Sequence, residues 1–123
     1  VMALFPELEQ HMNRRAGLLS GGQQQMLGLG RALARRPKVL LIDEMSLGLA
    51  PIIVSRLMQV VRQAADEQGI GVVLVEQHVQ EAMRIADRVC VVAGGRMTLA
   101  GNVEEVVDRV EDAFLADVLG QAV

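Results

Sequence analysis

The chain has no tryptophan and no tyrosine, and its only aromatic residues are Phe5 and Phe114, so it offers almost no ring on which a purine base would stack. Recognition of a base, if it occurs, belongs to another part of the protein. There is a single lysine: Lys38 follows Pro37 at the head of an apolar run, and no G-x-x-x-x-G-K-[ST] loop is present. That excludes the commonest backbone cradle for a triphosphate from these 123 residues. A lone cysteine excludes an internal disulfide and suits a reducing compartment, and Cys90, inside Val89-Cys90-Val91-Val92, is expected to be a buried structural thiol. The longest apolar runs, Val39 to Ile42 and Val72 to Val75, are far too short to span a bilayer, and Val1 to Arg15 has no signal-peptide pattern. Any membrane link would then go through a partner. Net charge is only −3 with the signs interspersed, and eleven of the twelve basic residues are arginines spread over predicted helix faces. That reads as solvated surface, and no nucleic acid is expected among the partners. The chain opens on Val1, with no initiating methionine, which reads as an incomplete frame.

What is present is apolar: 51% of the residues, enough for one modest domain with largely buried strands. Val1 to Arg15 reads as short helix interrupted at Pro6. Ser20 with Gln23 three residues later forms an S-x-x-Q capping box, and the helix it opens runs to about Arg36, with Met26, Leu29, Leu33 and Ala34 near one face and Pro37 as its stop. Lys38 to Asp43 is a continuous apolar run, as in a parallel strand buried on both faces. Pro51 suits a first helical turn, and Ile53, Leu57, Val60, Val61 and Ala64 keep helical spacing to about Gln68, with Gly69 as the break. A strand over 70–76 and a short helix bearing Val79, Ala82, Met83 and Ala86 follow. A strand over 88–93 then turns at Gly94-Gly95 into a return over 96–100. Asn102 with Glu105 is a plausible cap for a helix bearing Val103, Val106, Val107 and Val110, and a final helix is expected over about 112–119. Helices alternating with buried strands give an α/β layered fold. No internal repeat or low-complexity linker is visible.

Three stretches carry chemistry. Leu19-Ser20-Gly21-Gly22-Gln23 opens a helix, and a helix N-terminus presents unpaired N–H groups and partial positive charge to an anion. Ser20 adds a hydroxyl and the glycines allow close approach of a ligand. Ser-Gly-Gly alone reads more readily as a capped helix after a flexible turn; the five residues together are much more specific. Asp43-Glu44 ends a buried strand, where ligands of open α/β sheets bind, although Asp43 could equally cap a turn. His78 ends the next apolar run at what should be the same sheet edge, a position also common for plain surface histidines. His11 has no such context.

In this order the three stretches resemble the signature motif, Walker B segment and switch histidine of the ATP-binding cassette (ABC) ATPase family, over essentially the whole chain. The run Asp43-Glu44-Met45-Ser46-Leu47-Gly48-Leu49-Ala50-Pro51, the phrase Leu74-Val75-Glu76-Gln77-His78, Gln24-Gln25-Met26 and Gly30-Arg31-Ala32-Leu33 are similar to the ATP-binding subunits of branched-chain amino acid importers. Most ABC proteins have proline where Met45 stands and a D-loop aspartate where Ala50 stands; the Leu-Gly-Leu-Ala form is common in the branched-chain subgroup.

The resemblance implies the C-terminal half of a P-loop NTPase domain, with a mainly parallel sheet, flanking helices and a C-terminal hairpin. Residues 1–36 would end a helical subdomain with the signature helix, 37–101 would form the Walker B to switch-histidine core with the hairpin, and 102–123 would be C-terminal helices. It implies ATP and Mg²⁺ as ligands. Glu44 and His78 would be catalytic, Asp43 would hold Mg²⁺ through water, and Leu47, Gly48, Leu49 and Ala50 would form the D-loop. Ser20, Gly21, Gly22 and Gln23 would contact the ATP of the opposite subunit. It also implies a second ABC ATPase subunit, identical or not, membrane permease subunits, an indirect link to a periplasmic solute-binding protein, and a cytoplasmic location on the inner face of the plasma membrane. Without Walker A, the chain alone would not hydrolyse ATP in its own half-site. The alternatives are a non-enzymatic product that pairs with a full-length subunit, a cassette for urea or short amides, and an ABC ATPase of DNA maintenance, for which no heptad repeat is visible.

Overall fold

A computed structural model describes residues 1–120. It divides into two compact units, Val1–Gln77 and His78–Val123.

The first unit begins with a 3-10 turn over Pro6–His11. Pro6 starts this turn and does not interrupt it, because the first helical position needs no N–H and suits the fixed φ of proline. A second 3-10 turn over Ala16–Leu18 leads to helix α1, Gly21–Ala34. Its buried face is Gly22, Met26, Leu29, Gly30 and Leu33. Ala34, expected on that face, is exposed, since it lies one position round the helix from Leu33.

Strand β1, Val39–Asp43, pairs in parallel with β2, Gly71–Val75, in the register Val39↔Gly71 to Asp43↔Val75. Parallel neighbours require a crossover, and helix α2, Pro51–Gln68, supplies it. Proline at its first turn and Gly69 at its left-handed C-cap bound the helix as the spacing predicts, with Val54, Leu57, Met58, Val60, Val61 and Ala64 buried.

The expectation that these strands are buried on both faces is not met. Leu40 is buried, but Val39, Leu41, Val73 and Val75 are 57%, 75%, 55% and 54% exposed. The register puts these four on one face of a two-stranded ribbon, while α2 packs along β2 and the alternate residues turn inward. An uninterrupted apolar run states that both faces want burial; it cannot say how many layers surround them.

Arg56 of α2 ties the N-terminal turn down. Its guanidinium donates to Glu7 Oε1 at 3.1 Å and to the Leu4 carbonyl at 2.7 Å, and lies 5.7 Å from the centroid of the buried Phe5 ring. The Glu7 carboxyl is held below its ordinary pKa, first by a backbone hydrogen bond at its own residue and then by the hydrogen bond and charge of Arg56, with desolvation opposing.

The second unit holds helix α3, Val79–Ile85, the antiparallel hairpin of β3, Arg88–Ala93, and β4, Arg96–Asn102, and helix α4, Val103–Gly120. The two-residue turn Gly94-Gly95 has φ of 53° and 75°, the left-handed pair that a tight hairpin of this kind demands and glycine supplies without strain. A bulge between Val91 and Val92 leaves Thr98 as the extra residue, its hydroxyl donating to the Val91 carbonyl at 3.3 Å. Val91, Val106 and Val110 form the core here, with Val79, Met83, Val89, Leu99 and Ala113 against them.

Two expectations change in this unit, and the pairing of Asn102 with Glu105 is kept. Cys90 is exposed, because alternation along β3 gives the α4-covered face to Val89 and Val91 and turns Cys90 away. The two C-terminal helices are one, since no glycine or proline separates Val110 from Asp112. Asn102 is still in β4, opposite Arg88, and its side-chain amide donates to Glu105 Oε1 at 3.1 Å. Among the described residues no helix is long and apolar enough to cross a membrane.

Two outcomes follow. With four large apolar side chains bare on one sheet face, the isolated chain should self-associate in light scattering; a monodisperse, cooperatively melting monomer would contradict this. Because the Glu7 pKa is depressed on folding, its contribution is present above the unfolded-state value of about 4.3 and is lost as pH falls through the folded value. Glu7→Gln should therefore lower stability near neutrality by less than about 1 kcal/mol, the pair being partly exposed, and denaturant melts in stronger acid should show no difference.

Candidate functional site

At the start of α1 the capping box forms in both directions. Gln23 N–H donates to Ser20 Oγ at 3.3 Å, and Ser20 N–H donates to Gln23 Oε1 at 3.0 Å. The first backbone bond of the helix runs from Gln24 N–H to the Ser20 carbonyl at 2.8 Å. The amides of Gly21 and Gly22 precede it and have no intrahelical acceptor. Ser20 Oγ accepts in the box, so its own O–H proton is free to donate outward. Two bare amides and a hydroxyl at a helix N-terminus suit a phosphate oxygen.

The glycines here also answer to packing. A Cβ on Gly22 would sit 2.9 Å from Ile53 Cγ2, and one on Gly21 would meet Leu49 Cδ2 at 3.6 Å. The expected D-loop, Leu47 to Ala50, and the first turn of α2 thus lie directly against the start of α1. Gly22 is buried while Gly21 is exposed, so the first serves the helix contact and the second faces outward.

The other part of the site is the carboxyl edge of the β1–β2 pair. Asp43 ends β1 and is exposed. Glu44 follows with φ of 46°, a left-handed conformation uncommon for a residue with a Cβ. Its N–H donates to the Val75 carbonyl at 2.8 Å and its carbonyl accepts from Leu47 N–H at 3.2 Å, so the end of β2 and the following loop hold the strained residue in place. The next residues, Met45 and Ser46, are buried.

From β2 two further residues reach this loop, neither of which the sequence reading assigned a role. Glu76 accepts from Ser46 N–H at 3.0 Å on one oxygen and from Ser46 Oγ at 2.6 Å on the other. Gln77 Nε2 donates to Glu44 Oε1 at 2.7 Å. The signal available in the sequence was positional: in parallel register, whatever follows Asp43 must face whatever follows Val75.

His78 is exposed, stands three residues past the end of β2, and is the residue before α3, where its side chain makes no capping bond. It falls in the second unit. His11, to which the sequence assigns no role, has a buried Nδ1 without a partner. Among the described residues no three or more His, Cys, Asp or Glu side chains gather into a metal cluster. Asp43 stands as a single carboxylate, which fits Mg²⁺, a cation that commonly keeps several waters and takes one or two carboxylates beside substrate phosphates.

A helix N-terminus with bare amides and a carboxylate edge on a β-α-β crossover make an α/β unit whose parts suit a phosphate and a divalent cation. Residues 2–46 match the family described as ABC transporter. The high-affinity branched-chain amino acid transport ATP-binding protein BraG of Pseudomonas aeruginosa is 45% identical over 117 residues, which are 94% of this chain and 50% of that protein. The solved structure of MJ1267, an ATP-binding cassette of an ABC transporter, superimposes with a TM-score of 0.75 at 24% identity, over 93% of this chain and 47% of that one. The dimeric structure of MJ0796, a bacterial ABC transporter cassette, gives 0.69 at 29% identity over 77% and 40%. The chain belongs with the ATP-binding cassettes of ABC transporters and corresponds to part of that cassette. It spans about half the length of BraG.

Gly22→Ala gains up to about 1 kcal/mol of helix propensity but forces a stiff β-branched Ile53 to move, at a typical cost of about 1–3 kcal/mol. A net loss of up to about 2 kcal/mol is expected, turning to a small gain when Ile53→Ala removes the clash; thermal melts of the two backgrounds measure it.

Proposed function

We propose that this segment belongs to the ATP-binding and ATP-hydrolysing subunit of an ABC importer for branched-chain amino acids. The observation that carries the reading is the start of α1, where a closed capping box leaves the exposed Gly21 amide and the Ser20 proton facing outward, with the Gly22 amide beside them lacking an intrahelical acceptor. The 45% identity to BraG favours the branched-chain class, and the dimeric form of a similar cassette favours a second ATPase subunit as partner.

In this reading Ser20, Gly21 and Gly22, with Gln23 holding the turn, hydrogen-bond the terminal phosphoryl oxygens of an ATP seated in the opposite subunit. Leu47, Gly48, Leu49 and Ala50 form the D-loop, which Leu49 and Ile53 press against that turn. Asp43 holds Mg²⁺ through water, and the ion when bound neutralises phosphate charge. Glu44 orients the attacking water and accepts its proton at the carboxylate, and His78 hydrogen-bonds the γ-phosphate. Charge stabilisation and positioning carry most of the rate, as in phosphoryl transfer generally. Permease subunits would be driven by closure of the ATPase pair at the cytoplasmic face of the membrane, with solute delivered by a periplasmic binding protein.

The test is a complete cassette in which this segment follows an N-terminal half carrying a phosphate loop. Steady-state ATPase should fall by about 10²–10⁴ in Glu44→Gln, the range of a general base. Undiminished turnover in that variant would refute the assignment.

A further inference from the structure

We infer that Gln77 is a positioning residue for the Glu44 carboxylate, a role that rests on the proposed use of Glu44 as the base. Three observations converge on it. Glu44 is the residue whose backbone is forced into a left-handed conformation, φ 46°, at the end of β1. Its backbone is pinned by the bond from its N–H to the Val75 carbonyl, which leaves side-chain rotation as its main freedom. Gln77 Nε2, donating to Oε1 at 2.7 Å, restricts that freedom.

The donor is itself held. Its neighbour Glu76 is fixed through both carboxylate oxygens to the N–H and Oγ of Ser46, which is 3% exposed. Gln77 therefore follows a residue whose side chain is already tied to the loop after β1, and it reaches back to the same loop. Three bonds thus join the two strand ends, two between Ser46 and Glu76 and one from Gln77 to Glu44.

The chemistry of an amide suits the task. A lysine or arginine in its place would form an ion pair and spend the carboxylate on it; a neutral N–H donor orients one oxygen without titrating. It engages Oε1 and leaves Oε2 as the oxygen that meets the water. A base misplaced by about 1 Å loses on the order of 100-fold in rate, so a loss between about tenfold and 100-fold is expected when the donor is removed.

The experiment uses the complete cassette described above. Gln77→Leu, one atom shorter and without a donor, should lower kcat by about tenfold or more with the KM for ATP unchanged. Gln77→His, which restores an N–H, should recover most of it, and Gln77→Glu, which sets a second carboxylate against Glu44, should be at least as slow as Gln77→Leu. In single-turnover measurements on the Glu44→Gln background, Gln77→Leu should add no further loss. Without nucleotide, the Gln77 side-chain amide resonances should move on Glu44→Ala. Wild-type kcat in Gln77→Leu or Gln77→Glu, full additivity with Glu44→Gln, or amide resonances indifferent to Glu44→Ala would overturn the inference while leaving Glu44 as base. Undiminished turnover in Glu44→Gln would instead remove the reading on which it rests.

Discussion

Parallel hydrogen bonding between Val39–Asp43 and Gly71–Val75 fixes where every polar group of the carboxylate edge can go. Because the strands run the same way, the residues after Asp43 and after Val75 emerge side by side although 33 positions separate Glu44 from Gln77. Ser46 is buried, so its hydroxyl and amide would cost about 1–3 kcal/mol each if left without partners. Glu76 supplies both partners at once. The strain at Glu44 is offset within the same frame, since its N–H extends the ladder by one bond to Val75. The loop after β1 is therefore built as an extension of the sheet, which is why a residue in an uncommon conformation persists there.

The same crossover helix governs the other half of the candidate site. Proline at its first turn fixes where α2 begins, and Ile53, in that turn, covers the Cβ direction of Gly22. Leu49 lies against Gly21 from the loop that joins the carboxylate edge to α2. The amide-presenting turn of α1 and the strained residue after β1 are thus connected through a single short path, Glu44 to Ser46 to Leu49 to Ile53. The backbone bonds from Leu47 N–H to the Glu44 carbonyl and from Leu49 N–H to the Ser46 carbonyl hold that path in turns.

Much of this was legible in the residues because local chemistry decided it. The capping box of Ser20 and Gln23, the bounds of α2 at Pro51 and Gly69, strand β3 and its Gly94-Gly95 turn all depend on backbone requirements that a few neighbouring residues satisfy. What could not be read depends on partners distant in sequence. Cys90 lies in an apolar run, yet alternation on a hairpin covered from one side exposes it. Leu41 and Val73 look like core for the same reason and share the bare face. The glycines of the α1 turn were read as room for a ligand; Gly22 is also room for Ile53, which only the α1–α2 contact reveals. Glu76 and Gln77 gave no signal of their own, and became meaningful through register alone.

The two parts of the site differ in charge, and that difference constrains how they work together. The α1 turn is electropositive only through backbone dipoles and amides, which attract an anion without a full charge. The edge after β1 carries Asp43 and Glu44, two adjacent acids that repel a triphosphate. In the proposed reading a polyanion approaches that edge only with a cation interposed, which places Asp43 in charge of the metal and frees Glu44 for the water. A neutral amide beside Glu44 preserves this separation: it orients the second acid without adding a charge that would compete for the phosphate or cancel the base. In that reading the cation is left to Asp43, and glutamine beside Glu44 adds no charge to either acid.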